Sequence, residues 1–66
     1  MDEYANSHLA AIIDEYIHSE TDRVILKRRF IDGWSYSDIS DVVGLDRTTC
    51  YRRVEKLQAK LFKRLT

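Results

Sequence analysis

The 66-residue chain contains no proline and only two glycines, Gly33 and Gly44. Those two residue types are the main interrupters of helices, so their scarcity favours long helical segments with short connections. Val, Ile and Thr nowhere alternate strictly with polar residues, and no strand is expected. The single cysteine, Cys50, excludes an internal disulfide and fits a reducing compartment. The longest stretch without Asp, Glu, Lys or Arg runs from Tyr4 to Ile13. It is too short to span a bilayer and includes Asn6, Ser7 and His8. The acidic opening is not that of a signal peptide. A chain of this length is expected to form one domain, residues 1–66, with a small core.

Several chemistries are missing as well. His8 and His18 have no cysteine or acid at ligand spacing, so neither a metal site nor another cofactor is expected. There is no glycine-rich phosphate loop, no histidine placed to activate a serine, and too little chain to enclose a substrate pocket. An enzyme is the class least compatible with these residues.

What is present is an uneven distribution of charge. Eleven Lys and Arg balance eleven Asp and Glu, so net charge points to no partner. Residues 1–22, however, carry six acids and no Lys or Arg. From Asp46 onward there are seven bases against two acids. The chain is acidic at one end and basic at the other.

Periodicity predicts four helices. In the first, from Glu3 to His18, Leu9, Ile12, Ile13, Tyr16 and Ile17 share one face. Residues 1–18 thus form an acidic N-terminal helix ahead of a core of residues 19–66. Ser19, with Asp22 as capping-box partner, opens a second helix from about Glu20 to Ile31, with Ile25, Phe30 and Leu26 its buried candidates. Ser35 and Asp38 repeat that start signal for a third helix, Tyr36 to Val43, with Ile39, Val42 and Val43 at helical spacing. Gly44 falls where that helix must stop, in the left-handed conformation glycine tolerates. Leu45 can plug the corner, and Asp46 can cap a fourth helix, Arg47 to Leu65. Helix, glycine turn and basic helix read as a helix-turn-helix, and the fold class is all-α.

At about 100° per residue, Cys50, Val54, Leu57, Leu61 and Leu65 form the inward stripe of the fourth helix. Thr48, Arg52, Glu55, Lys56, Ala59 and Lys63 lie opposite. On that stripe Cys50 acts as a small hydrophobe. Trp34 and Tyr36 are expected to cover the core beside the turn.

The stretch from Arg23 to Leu61 resembles the fourth conserved region of the sigma-70 class of sigma factors, the domain that reads an upstream promoter element. The resemblance rests on Phe30, Asp32-Gly33, Ser35-Tyr36, Asp38-Ile39-Ser40, Val43-Gly44-Leu45, Thr49-Cys50 and Arg53. Cys50 departs from the usual valine or isoleucine, and Tyr51 is a large aromatic where many relatives are basic or small. The resemblance implies a four-helix sigma region-4-like fold and a bacterial or phage-encoded regulator in a bacterial cytoplasm. It covers none of the regions that melt promoters.

Two function classes follow. The favoured one is a sequence-specific, double-stranded-DNA-binding transcription regulator whose fourth helix enters the major groove. Arg47, Thr48, Tyr51 and Arg52 are the candidate base readers. Ser35, Tyr36, Arg53, Lys56 and Lys60 are the candidate phosphate contacts, with Arg28 or Arg29 beside them. The rival is an interaction module that docks on RNA polymerase or a host factor, a role the acidic first helix suits. One helix-turn-helix buries little DNA surface, so a homodimer is expected, through Tyr4, Leu9 and Tyr16 or through Phe62. Tethering to polymerase is the other solution. No membrane partner is expected.

Overall fold

Short capping residues and buried apolar side chains organise the chain into α1 (Glu3–Tyr16), α2 (Glu20–Phe30), α3 (Tyr36–Val43) and α4 (Arg47–Leu65). These elements come from a computed structural model that describes residues 3–65, and the side chains of residues 7–61 and 63. No strand occurs among the described residues, so the fold is all-α as expected.

The helix starts follow from local chemistry. Ser19 and Ser35 adopt extended backbone conformations, and their hydroxyls accept from the backbone N–H groups of Asp22 at 3.4 Å and Asp38 at 3.2 Å. Only this half of each expected capping box forms among the described residues. Aspartate is one methylene shorter than the usual capping-box glutamate, and the Asp22 carboxylate binds Arg53 of α4 instead, at 2.8 Å.

The first helix ends at Tyr16, two residues before the expected His18. Its last turn contains no basic residue; α2 supplies the positive charge instead. Arg23 donates to the carbonyls of Ile17 and of Asp14, the latter at 2.8 Å. Lys27 meets the Asp14 carboxylate at 2.8 Å. Carbonyls left open at a helix end are thereby satisfied by cations, which the helix dipole favours there.

Eight buried side chains from all four helices and the loop after α1 form the core: Ile13, Ile17, Ile25, Leu26, Ile39, Cys50, Val54 and Leu61. The second helix is central and packs against the other three, while α3 packs on α4. That position explains why adjacent Ile25 and Leu26 are both fully buried, each face of α2 having a neighbour. Phe30, expected among the buried residues, is half-buried at the last turn of α2, where the chain leaves the core. Val42 is a second departure. It is 57% exposed, because an eight-residue helix covered on one side shelters Ile39 and Val43 but not a residue beyond that edge.

The inward stripe of α4 is as its spacing predicts, with Cys50, Val54 and Leu61 buried and Leu57 half-buried. The Leu65 side chain lies outside the described residues.

Candidate functional site

The third and fourth helices are joined by a turn whose geometry is held at several points. Gly44 has φ 74° and ψ 21°, the left-handed conformation, and its N–H donates to the Ser40 carbonyl at 2.9 Å. The Ser40 hydroxyl bonds to the Leu45 carbonyl on the far side of the turn, and Leu45 packs against the core as the expected corner plug. Asp46 occupies the position before α4, and its carbonyl accepts from the Cys50 N–H at 2.9 Å. Its carboxylate takes no hydrogen bond among the described residues, so the side-chain cap expected of Asp46 does not form there, and the carbonyl bond is simply the first of the helix.

This turn projects the start of α4 outward. Arg47, Thr48, Tyr51 and Arg52 are all exposed, as are Lys56 and Lys60 further along, and Ser35 at the start of α3. Tyr36 is half-buried and part of a stack. The Arg29 guanidinium lies 4.5 Å from the centre of the Tyr36 ring, and Tyr36 meets the Tyr51 ring edge-to-face at 5.4 Å and 79°. Arg29 also donates to the Trp34 carbonyl at 2.9 Å, while Arg28 covers the Trp34 ring at 4.7 Å and pairs with Asp32 at 2.8 Å. Trp34 and Tyr36 therefore pack against the core beside the turn and are held in place by cations of α2.

The basic residues divide into two groups. Arg23, Lys27, Arg28, Arg29 and Arg53 are engaged with carboxylates, carbonyls or aromatic rings of the protein itself. Arg47, Arg52, Lys56, Lys60 and Lys63 are exposed and make no ion pair or hydrogen bond among the described residues. All five of these uncommitted bases belong to α4. Arg53 differs from the other α4 candidates because Asp22, whose side chain is only 17% exposed, anchors it to α2.

Two participants escaped the sequence reading. Glu55 accepts the Tyr51 hydroxyl at 3.0 Å across one helical turn, a spacing that could have revealed it. That bond, with the nearby negative charge, pushes the Tyr51 phenol up from its ordinary value. Asp22, the other, is 31 residues from Arg53 in sequence and left no local signal. Burial likewise raises the Cys50 thiol, consistent with its place in the core.

The described residues include no cluster of three or more His, Cys, Asp or Glu side chains able to hold a metal ion. No helix among them is long and apolar enough to cross a membrane.

Residues 33–60, from the Gly33 turn through most of α4, match a family model described as winged helix-turn-helix DNA-binding. The match spans α3, the glycine turn and the exposed segment of α4, leaving α1 and α2 outside. It shows a helix-turn-helix in this chain, without singling out the sigma region-4 type. Among the described residues no strand pair forms a wing. No curated protein and no solved structure matches the chain.

Proposed function

We propose that this helix-turn-helix chain is a sequence-specific, double-stranded-DNA-binding transcription regulator of sigma region-4-like form, with α4 in the major groove. The observation that carries the reading is the confinement of uncommitted bases to α4. Bases on α2 are consumed by internal partners, whereas Arg47, Arg52, Lys56, Lys60 and Lys63 stand exposed on the second helix of the motif. The major groove admits a helix, and phosphates reward free cations along its flanks.

In this arrangement Arg47, Thr48, Tyr51 and Arg52 meet base edges from the first turns of α4. Lys56 and Lys60, with Ser35 and Tyr36 at the start of α3, contact phosphates and set register. Arg53 contributes to a phosphate only by sharing or leaving Asp22. The small surface of one such motif supports a homodimer on two half-sites. Leu9 and Tyr16 of α1 pack against the core, and Tyr4 and Phe62 lie outside the described side chains. A bacterial or phage origin and a cytoplasmic setting come with the sigma resemblance.

A second reading, docking on RNA polymerase or a host factor, is favoured by the hollow of about 300 Å³ on α3. Its lining is exposed Val42 with Trp34, Asp38 and Asp41. Selection of bound sequences from a random duplex pool at physiological salt separates the readings. An enriched motif whose affinity falls steeply with salt supports DNA recognition; no enrichment leaves protein docking. Sedimentation at two protein concentrations tests the homodimer, and a mass fixed at one chain would exclude it.

A further inference from the structure

Glu55 is the sole acid of α4, on a helix with seven Lys and Arg. It is exposed on the side of α4 opposite the buried stripe, one turn beyond Tyr51. Among the described residues it pairs with no base, although Arg52 and Lys56 are close in sequence. Its one recorded partner is the Tyr51 hydroxyl, which donates to Oε1 at 3.0 Å and leaves Oε2 open. An unpaired carboxylate facing a duplex is unfavourable beside phosphates unless it meets a hydrogen-bond donor. In the major groove, only cytosine N4 and adenine N6 present donors, and adenine places the N7 acceptor next to its amino group. A carboxylate is therefore best matched by cytosine.

We propose that Tyr51 and Glu55 form one base-reading unit in which the open Glu55 oxygen accepts from a cytosine N4 amino group in the major groove. The inference rests on DNA recognition by α4. The unit is set before any DNA arrives: Arg29 lies on Tyr36, Tyr36 meets Tyr51 edge-to-face, and Tyr51 holds Glu55. A reading group locked by its neighbours loses less freedom on binding. A tyrosine phenol is protonated at neutral pH, and the bond to Glu55 pushes this one further up, so Tyr51 remains a donor to Glu55 there.

The test compares motifs enriched from a random duplex pool by the wild-type chain, Glu55→Gln and Glu55→Ala, with thermal melting as a check on folding. The wild-type motif is expected to contain a cytosine that Glu55→Ala relaxes, by about fivefold or more at that position alone. Glu55→Gln should shift that position towards adenine, which a glutamine amide can pair with at N6 and N7. Glu55→Ala should also bind random duplex more tightly, having lost a negative charge near phosphates. If Glu55→Gln retains the cytosine while Glu55→Ala loses it, Glu55 merely positions Tyr51 and the proposal is overturned. Identical motifs from all three proteins would also overturn it while leaving DNA recognition intact. A wild-type chain that enriches nothing would overturn both.

Discussion

The Arg53 guanidinium reaches from α4 to the first turn of α2, where its Nη1 meets Asp22 Oδ1 at 2.8 Å. The pair joins two helices already packed together and sits at a half-buried position. It also restrains a cation that would otherwise add to the free bases of α4. Asp22→Ala should cost about 0.2–1 kcal/mol of stability, the range of partly exposed ion pairs. The same variant should bind random duplex more tightly and steepen the salt dependence by about one unit, as Arg53 becomes available to phosphate. Salt titration of wild type and variant measures this, and identical slopes would show that Arg53 is remote from DNA.

Val54, 2% exposed on the inward stripe of α4, provides the test of the core. Val54→Asp would bury an unpaired charge at a cost of several kcal/mol, comparable to the whole stability of a small domain. Loss of the cooperative thermal transition is expected. Leu57→Asp, at a half-buried position, should lower the midpoint but by less.

Arg52 and Lys56 separate reading from anchoring. Arg52→Ala should cost about 1–3 kcal/mol on the selected site and relax one base pair, with little change on random duplex. Lys56→Ala should weaken all sequences alike and reduce the salt slope by about one unit. Both side chains are exposed and off the inward stripe, so melting should remain near wild type. An Arg52→Ala protein that holds its selected site as tightly as wild type would move the lead to the docking reading.

Acid should loosen the attachment of α1. The Lys27 hydrogen bond, with the charges of Lys27 and Arg23, holds the Asp14 carboxyl below its ordinary value. A carboxyl depressed in the folded state stabilises it above the unfolded pKa of about 4, and that contribution fades as pH falls through the folded value. Asp14→Asn should therefore be less stable than wild type at neutral pH, with the difference shrinking below about pH 4. Melting curves across that range check the sign; a gap that widened on acidification would refute it.

Gly44 tests the turn by itself. A Cβ there would meet nothing within 4 Å, so the cost of Gly44→Ala is the left-handed backbone alone. About 1–2 kcal/mol is expected. Gly44→Asn should cost less, because asparagine visits that region more readily.

The parts of this fold governed by neighbours in sequence were legible in advance. Ser19 and Ser35 mark their helix starts and Gly44 its stop, and the α4 stripe follows from spacing, because each depends on residues within a turn or two. What was hidden depends on partners distant in sequence. Nothing near Arg53 announces Asp22, nor does α1 reveal that its carbonyls will be met by Arg23. Val42 fits the apolar period of α3 yet is exposed, since periodicity identifies a face without saying how widely a neighbour covers it. At the candidate site, Thr48 and Arg52 are exposed as their place opposite the inward stripe predicts, and Arg47 and Tyr51 are exposed beside them. The Tyr36–Tyr51–Glu55 chain became visible only once α3 and α4 were placed together.

The free cations of α4 point away from the core into which α1 packs, and the chain as a whole carries zero formal net charge. Such a molecule feels little net pull from a distant polyanion, yet the free cations of α4 are drawn towards it while the unpaired acids are repelled. The field would act chiefly as a torque, turning α4 towards the duplex during the last Debye length of approach, about 10 Å at moderate salt. Diffusional encounters would then be no more frequent than for a neutral protein, but a larger share would begin in a productive orientation.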